Sequence, residues 1–395
     1  MFISEKEKRT PVTSEYDTVV VGGGIAGVSA ALAAARNGAK TLLIEREYML
    51  GGLATAGLII IYLPICDGKG KQVCFGIAEE LIKLSVADGS EYPYKAEDWI
   101  NGEEIKKNRF LTYYNPNVFA IRLEQLLIEN GVDILYGTCV CDTICENGFV
   151  THLITENKSG REAIALKTVV DCTGDADICL LAGEDTALSE RNGNILAAWC
   201  VEALDGKTIL RPIGACDSQQ EEDELQIVKV TKSISGVNAK EISERTILSH
   251  KLMLDEFLKN GPVSESHSLA TMPSIPQLRM TRRLVGIYTQ GEDEMHKEFA
   301  DSVGLYPDWK KCGPIYELPY SCLKGNKIKN LLAAGRCISA DDELWDITRV
   351  IPVCAVSGEA AGTAAAMGRN LDEIDISALQ ERLRAQNVKI HEKEL

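Results

Sequence analysis

The chain has 395 residues, 45% of them hydrophobic and 25% charged, with a formal net charge of −16. That length is too great for one simple core and suits two interleaved domains of an ordinary globular protein. The acidic excess, with no block rich in Lys or Arg, argues against nucleic acid or a membrane as partner, and neither a signal-peptide core nor a bilayer-length apolar run is present.

Residues 1–14 read as a frayed polar lead-in. Residues 18–21 are β-branched and apolar, the composition of a buried parallel strand. Gly22, Gly24 and Gly27 then spell G-x-G-x-x-G, with Ile25 and Ala26 inside it. The first glycine makes a tight turn, the second admits a pyrophosphate and the third lets helix and strand pack closely. The alanine-rich helix that follows stops at Gly38. Residues 40–44 form a second strand closing on Glu45, 18 positions past Gly27, where a carboxylate can grip a ribose. The unit predicts an α/β dinucleotide-binding fold with the pyrophosphate on the helix N-terminus. Glu45 argues against a bound 2′-phosphate.

Arg46 leads into a second glycine-rich stretch, Gly51, Gly52, Leu53, Ala54, Thr55, Ala56 and Gly57. FAD extends beyond its adenosine half, and small residues here let backbone meet its pyrophosphate and ribityl chain, which favours FAD over NAD. A helix over residues 118–130 carries Phe119, Leu123, Leu126 and Leu127 at helical spacing and ends at Gly131. Residues 168–175 read as a strand entering a turn at Thr173, Gly174 and Asp175. The acidic run SQQEEDELQ reads as a solvated face, and the helix after it is stopped by Gly261 and Pro262. Residues 330–336 form a strand ending at Gly335 and Arg336. Past a short loop come Arg349, Val350, Ile351 and Pro352, then a helix from 353 to about 368 with Pro352 at its first position. On that helix Ala355, Gly358, Gly362 and Ala365 make a narrow face for close approach. Residues 377–386 form an amphipathic helix suited to packing.

These stretches carry a resemblance. VVVGGGIAGVSAALAAARNG, IEREYMLGGLATAG, VVDCTGDAD, QLRMTRRLVGIY, IYELPYSCL, NLLAAGRCIS and RVIPVCAVSGEAAGTAAA together resemble the FAD-dependent oxidoreductases of the glutathione-reductase-type flavoprotein superfamily, most closely a largely uncharacterised bacterial group. The resemblance implies a Rossmann-like, three-layer FAD-binding domain with a discontinuous α+β substrate domain. The FAD-binding domain would comprise residues 15–70, 110–185 and 325–372, the substrate domain 186–324, and a helical tail 373–395. Strands from Val132 and from Phe149 would form the inserted antiparallel layer, with Val140 meeting adenine. The last helix would point its N-terminus at the flavin pyrimidine edge, placing Val350 and Ile351 against the isoalloxazine. Many relatives carry a histidine after the GRCIS segment; this chain has Asp341 and Asp342 instead.

Hydride transfer needs a substrate carbon over the flavin, a group that moves the accompanying proton, and cations for substrate oxyanions. Arg279, Arg282 and Arg283 are the best cation cluster. On one strand, Arg279 and Arg283 share a face and Arg282 takes the other. Asp342 and Glu343 are candidate bases, His267 a candidate acid or base, and Tyr288 and Tyr320 candidate proton donors; the candidate catalytic set is Arg279, Arg283, Asp342 and His267. The other histidines have helical or solvent-facing settings. The remaining motif residues, from Gly22 to Ile351, are candidate cofactor contacts, with Arg336 and Arg349 as anchors.

Most of the 13 cysteines sit in apolar runs, such as Cys172 in VVDCTG and Cys354 in PVCAVSG, so a reduced, cytoplasmic protein is expected. No C-x-x-C occurs, no redox pair follows the second strand (Cys66 and Cys74 are eight apart), and no metal site is expected. With no second G-x-G-x-x-G, a separate electron donor or acceptor is expected. The resulting expectation is an FAD-dependent oxidoreductase with non-covalent flavin, exchanging hydride with a small polar organic substrate. An RNA-modifying flavoprotein or an electron-relay subunit are the alternatives.

Overall fold

The computed structural model describes residue 3 and residues 7–89, 112–190, 195–196, 199–216, 227–229 and 233–395. The acidic run at 218–226 lies outside them. The opening unit is β1 (Val12–Val21), α1 (Ile25–Arg36) and β2 (Thr41–Ile44). β1 begins earlier than its composition suggests, because Val12 and Ser14 already pair with Ala163 and Ile164. The polar lead-in is therefore shorter than expected. α1 ends at Asn37, and Gly38 takes the left-handed turn at φ +88° that reverses the chain.

α2 (Gly76–Ser85) and α3 (Pro116–Glu129) add to the apolar core on one side of the sheet. α3 is capped by the Asn115 side chain, which accepts from the N–H groups of Asn117 and Val118. The strand expected from residue 132 is two strands. β3 (Asp133–Leu135) joins β2 in parallel, and β4 (Cys139–Glu146) starts an antiparallel meander with β5 (Phe149–Asn157) and β6 (Gly160–Asp171). Gly137, at φ +58°, turns the chain between them.

β6 serves both layers. Its first half pairs antiparallel with β5, His152 opposite Ala165. Its other edge pairs in parallel with β1 from Ala163 to Asp171, Val21 opposite Asp171, and its last residues pair with β7 (Leu331–Ala333), Leu332 opposite Val170. The parallel order is β3-β2-β1-β6-β7. Val20, Leu43, Val170 and Leu332 point to the helices, while Val19, Leu42, Val169 and Leu331 point to a second core shared with Val150, Leu153 and Ile164. Helices, parallel sheet and meander are three layers, as the resemblance implies.

After β6 comes the short α4 (Asp177–Leu181), then a set of antiparallel strands and α5 (Ala239–Phe257), which ends at Gly261, φ +114°. Strands Trp199–Leu204, Lys207–Pro212 and His267–Thr271 pair with one another, and Arg282–Leu284 pairs with Thr186–Leu188. Past β7 lie α6 (Asp342–Thr348) and α7 (Ile351–Ala365). The N-cap of α7 is Val350, so Pro352 is its second residue, one later than expected. α7 packs backbone to backbone on α1: a Cβ on Gly358 would stand 2.3 Å from the Ala26 carbonyl, and one on Gly362 2.1 Å from that of Ala30. The tail is fastened by α8 (Ile376–Ala385), which buries Leu379 and Leu383 while Gln380 donates to the carbonyls of Ala300 and Ser302. His391, expected to face solvent, is buried against Glu317 at 3.0 Å. No helix among the described residues is long and apolar enough to cross a membrane.

Candidate cofactor cleft and active site

The C-terminal ends of β1, β2, β6 and β7 open into one cleft of about 400 Å³, where ligands of open α/β sheets bind. Three glycines at its base have three different reasons. Gly22 has φ +99°, and a Cβ there would meet the Cys172 carbonyl at 2.4 Å; one on Gly27 would meet the Gly22 carbonyl at 1.8 Å. Gly24 has an ordinary φ of −67°, and a Cβ would touch nothing within 4 Å. It lines the cleft, so the space its missing side chain leaves is open to a ligand.

Two helix N-termini converge on this space. α1 begins at Gly24 and α7 at Val350; neither has a side-chain cap or an acidic residue in its first turn. Ile25, Ala26, Ile351 and Cys354 carry those first turns into the lining. Both positive dipole ends therefore face the cleft without an internal anion to offset them, which fits a diphosphate at one and a ring that gains negative charge at the other. Gly51 is fastened beside the turn, its N–H donating to the Gly23 carbonyl at 2.8 Å. This holds Gly52, Leu53 and Ala54 along the same wall.

Glu45 is 7% exposed. Its Oε2 accepts from the Gly23 N–H at 2.5 Å and its Oε1 from the Glu47 N–H at 2.8 Å. Burial pushes its pKa up, and the two N–H bonds oppose that. Each oxygen keeps a lone pair for a sugar hydroxyl. Arg46, Arg336 and Arg349 add positive charge to the lining. Arg349 is paired with Asp346, its Nε 2.9 Å from Oδ1. Arg336 lies across Gly174, donates from Nη2 to Asp175 Oδ1 at 2.9 Å, and has its Nη1 buried with no partner among the described residues. Asp171, fully buried, shapes the turn by accepting from Thr173 and from the Cys179 N–H. The free Gly24 space, the uncapped helix ends and the orphan Arg336 donor fit a dinucleotide with a negatively charged middle.

Of the expected cofactor contacts, Gly22, Gly24, Ile25, Ala26, Glu45, Arg46, Gly52, Leu53, Ala54, Val140, Thr173, Gly174, Asp175, Arg336, Arg349 and Ile351 line the cleft. Gly27, Gly335 and Val350 stand behind the lining. The Gly335 position is closed by Ala26, whose Cβ a side chain would meet at 2.6 Å.

The structure does not bring Arg279, Arg283, Asp342 or His267 to the lining. Only Arg282–Leu284 is strand, so Arg279 does not share a strand face with Arg283. Arg283 sits behind Trp345, 5.8 Å from its ring, and Trp345 Nε1 in turn donates to the Arg336 carbonyl at 2.5 Å. Asp342 accepts from the Glu190 N–H at 2.8 Å. His267 is buried, with Nε2 2.7 Å from Glu202, Nδ1 3.2 Å from the Pro262 carbonyl and its ring stacked on Phe257. Tyr288 bonds Glu294, and Tyr320 donates to the Leu371 carbonyl at 3.2 Å.

Reading the sequence missed Asp177, Thr138, Ile275, Pro276 and Leu278, all of which line the cleft. Asp177 has its pKa pushed up to about 6 by desolvation and by Asp175 and Asp171, with Arg282 opposing at 3.3 Å. For Ile275, Pro276 and Leu278 the only trace in the sequence is the pair of prolines in MPSIPQL. Cys172 and Cys354 also line the cleft, and burial pushes both thiols up, Cys354 to about 12.

The fold and cleft define a Rossmann-type dinucleotide-binding flavoprotein architecture. The family profile described as FAD dependent oxidoreductase matches residues 17–195 and 197–383, and the chain belongs to that family; FAD is its cofactor. Among curated proteins it is 31% identical over 176 residues to a thioredoxin reductase from Ureaplasma parvum, covering 39% of this chain and 52% of that protein. It is 27% identical over 179 residues to a thiamine thiazole synthase from Sulfolobus acidocaldarius, covering 42% and 59%. The chain thus spans little more than half the length of these relatives. A solved geranylgeranyl bacteriochlorophyll reductase-like protein from Thermoplasma acidophilum is a distant likeness: 15% identity, 96% of this chain, 93% of that one, TM-score 0.45.

Proposed function

We propose that the protein exchanges hydride between non-covalent FAD and a small polar organic substrate, with a separate partner supplying or removing the electrons. The observation that carries this reading is the convergence of two uncapped helix N-termini, α1 and α7, on one cleft also lined by Arg46, Arg336 and Arg349. FAD supplies the hydride donor and acceptor. The chain's own part is to fix the cofactor, stabilise negative charge on it and limit water. Gly22–Ala26 and the start of α1 hold the diphosphate, and Glu45 and Val140 the adenosine half. The first turn of α7 stabilises charge on the ring system, and Leu53, Ile275, Pro276, Leu278 and Ile351 dry the surroundings.

A thiol-exchange reaction, suggested by the thioredoxin reductase relative, has less support. Cys172 and Cys354 are held as neutral thiols by burial, and Cys66 and Cys74 are each 1% exposed. The test is anaerobic bleaching of the flavin against a panel of small acids, alcohols, amines and sugars. Rapid bleaching by one chemical class supports the reading. A flavin that no small molecule reduces, but that a protein donor reduces quickly, replaces it with electron relay.

A further inference from the structure

Residues 273–282 are tied at both ends to elements that border the cleft. At one end the Ser274 N–H donates to the Ala56 carbonyl at 2.9 Å, on the wall that follows β2. At the other end the Thr281 hydroxyl donates to Asp175 Oδ1 at 2.5 Å and Arg282 Nη1 lies 3.3 Å from Asp177 Oδ1, on the wall that follows β6. The Ser189 N–H donates to the Thr281 carbonyl at 3.0 Å and fixes that end further. β1 lies between β2 and β6 in the sheet. A segment tied to both therefore bridges the flanks of the strand that ends in the glycine turn, and shares the cleft lining with that turn. Between its ties, Ile275, Pro276 and Leu278 contribute to the lining. Seven peptide units reach at most about 25 Å, and Pro276 between the ties, with Pro273 just before the first, restricts the backbone.

We propose that this segment is a strap that locks the flavin dinucleotide in place, with Thr281–Asp175 and Arg282–Asp177 as its latch. The inference rests on the cleft being the FAD site. Asp175 joins two functions in one carboxylate, since Oδ1 accepts from both Thr281 and Arg336. The latch and the orphan Arg336 donor are thereby coupled through one atom. Arg282 is then a positioning residue of the strap, 14% exposed at its side chain, and not a cation that meets substrate. A strap anchored this way makes cofactor release depend on breaking side-chain bonds more than on the affinity of the glycine turn itself.

The test is the rate at which holoprotein releases FAD on dilution, followed by the rise in flavin fluorescence, for Thr281→Val, Arg282→Gln and the double variant. Release at least tenfold faster in Thr281→Val, faster still in the double variant and restored to the wild-type rate in Thr281→Ser, is the expected result. If Thr281→Val proves unstable, Arg282→Gln at the wall's edge carries the same test, with release at least threefold faster expected. Thermal melts of the apo forms separate a latch from general destabilisation, since a latch changes release without lowering the apo melting temperature in proportion. Release within twofold of wild type in all three variants overturns the strap. Gly24→Val, assayed alongside, distinguishes the underlying reading: if it retains full flavin, the cleft is not the FAD site and both fall together.

Discussion

Arg336, just past the end of β7, reaches over Gly174 to Asp175, past the end of β6, and donates through Nη2 to Oδ1 at 2.9 Å. Its Nη1 is buried and unpartnered, which costs free energy unless a ligand accepts from it. Arg336→Met removes that donor and leaves Asp175 with the Thr281 hydroxyl alone. The FAD dissociation constant should rise by about 10- to 100-fold, the worth of a hydrogen bond between charged groups. Titration of deflavinated protein, read by quenching of flavin fluorescence, measures it; an unchanged constant would remove Arg336 from the cofactor's contacts.

Gly24 separates binding from folding. Its φ is ordinary and a Cβ there has nothing within 4 Å, so Gly24→Val should fold with a melting temperature close to that of the wild-type apo protein. It should nonetheless lose nearly all bound flavin, because the side chain fills the ligand's space. Gly27→Ala should behave in the opposite way, destabilising the fold through its clash with the Gly22 carbonyl. Absorbance near ~450 nm per chain, with about one flavin in the wild type, reads both.

Glu359, 2% exposed in the middle of α7, has its carboxyl pushed up to about 8 by burial, while the Ile77 N–H bond at 2.8 Å and Arg36 oppose the shift. A carboxyl whose folded pKa lies above its unfolded value holds its proton more tightly when folded. Stability contributed by the neutral form is therefore lost as pH rises from about 4.5 towards 8. Glu359→Gln keeps an acceptor for Ile77 and cannot ionise. Its stability should gain on the wild type across that window, by up to roughly 5 kcal/mol, read as a rising gap in melting temperature. A gap that stays constant from acid to alkaline pH would contradict the assignment.

His267 distinguishes a packed histidine from a catalytic one. It is held by Glu202 and stacked on Phe257, away from the cleft. His267→Ala should lower stability by about 1–3 kcal/mol, through a buried Glu202 carboxylate that loses a partner. Flavin content and the rate of flavin reduction by an active substrate should stay within twofold of wild type. A hundredfold loss of reduction rate with flavin retained would restore it as a proton carrier.

Much of the cleft's base was legible in the chain order. The glycine turn, the acid of Glu45, the second glycine stretch and the small-residue face of α7 are encoded within short windows, because backbone conformation and close packing depend on which residues lack a side chain. The α1–α7 contact shows how far such local signals reach: Gly358 and Gly362 announce an approach, and only the partner helix is left unstated. Boundaries erred where pairing decides them. β1 extends to Val12 because β6 is long enough to meet it, and residues 133–146 divide because two different neighbours are available.

The catalytic candidates were not legible, and the reason is the same in each case. A charged residue announces its chemistry but not its neighbours. Arg283 lies behind Trp345 and His267 is held by Glu202, 65 positions away. Asp177 and the 273–282 segment, nearly a hundred residues apart, meet at the cleft only because β6 and the later strands fold onto one wall. The sequence by itself determined the dinucleotide cradle, since that rests on contacts a few residues long. Tertiary structure alone decided which charges line the cleft and which distant segments border it, since those rest on distances set by the whole sheet.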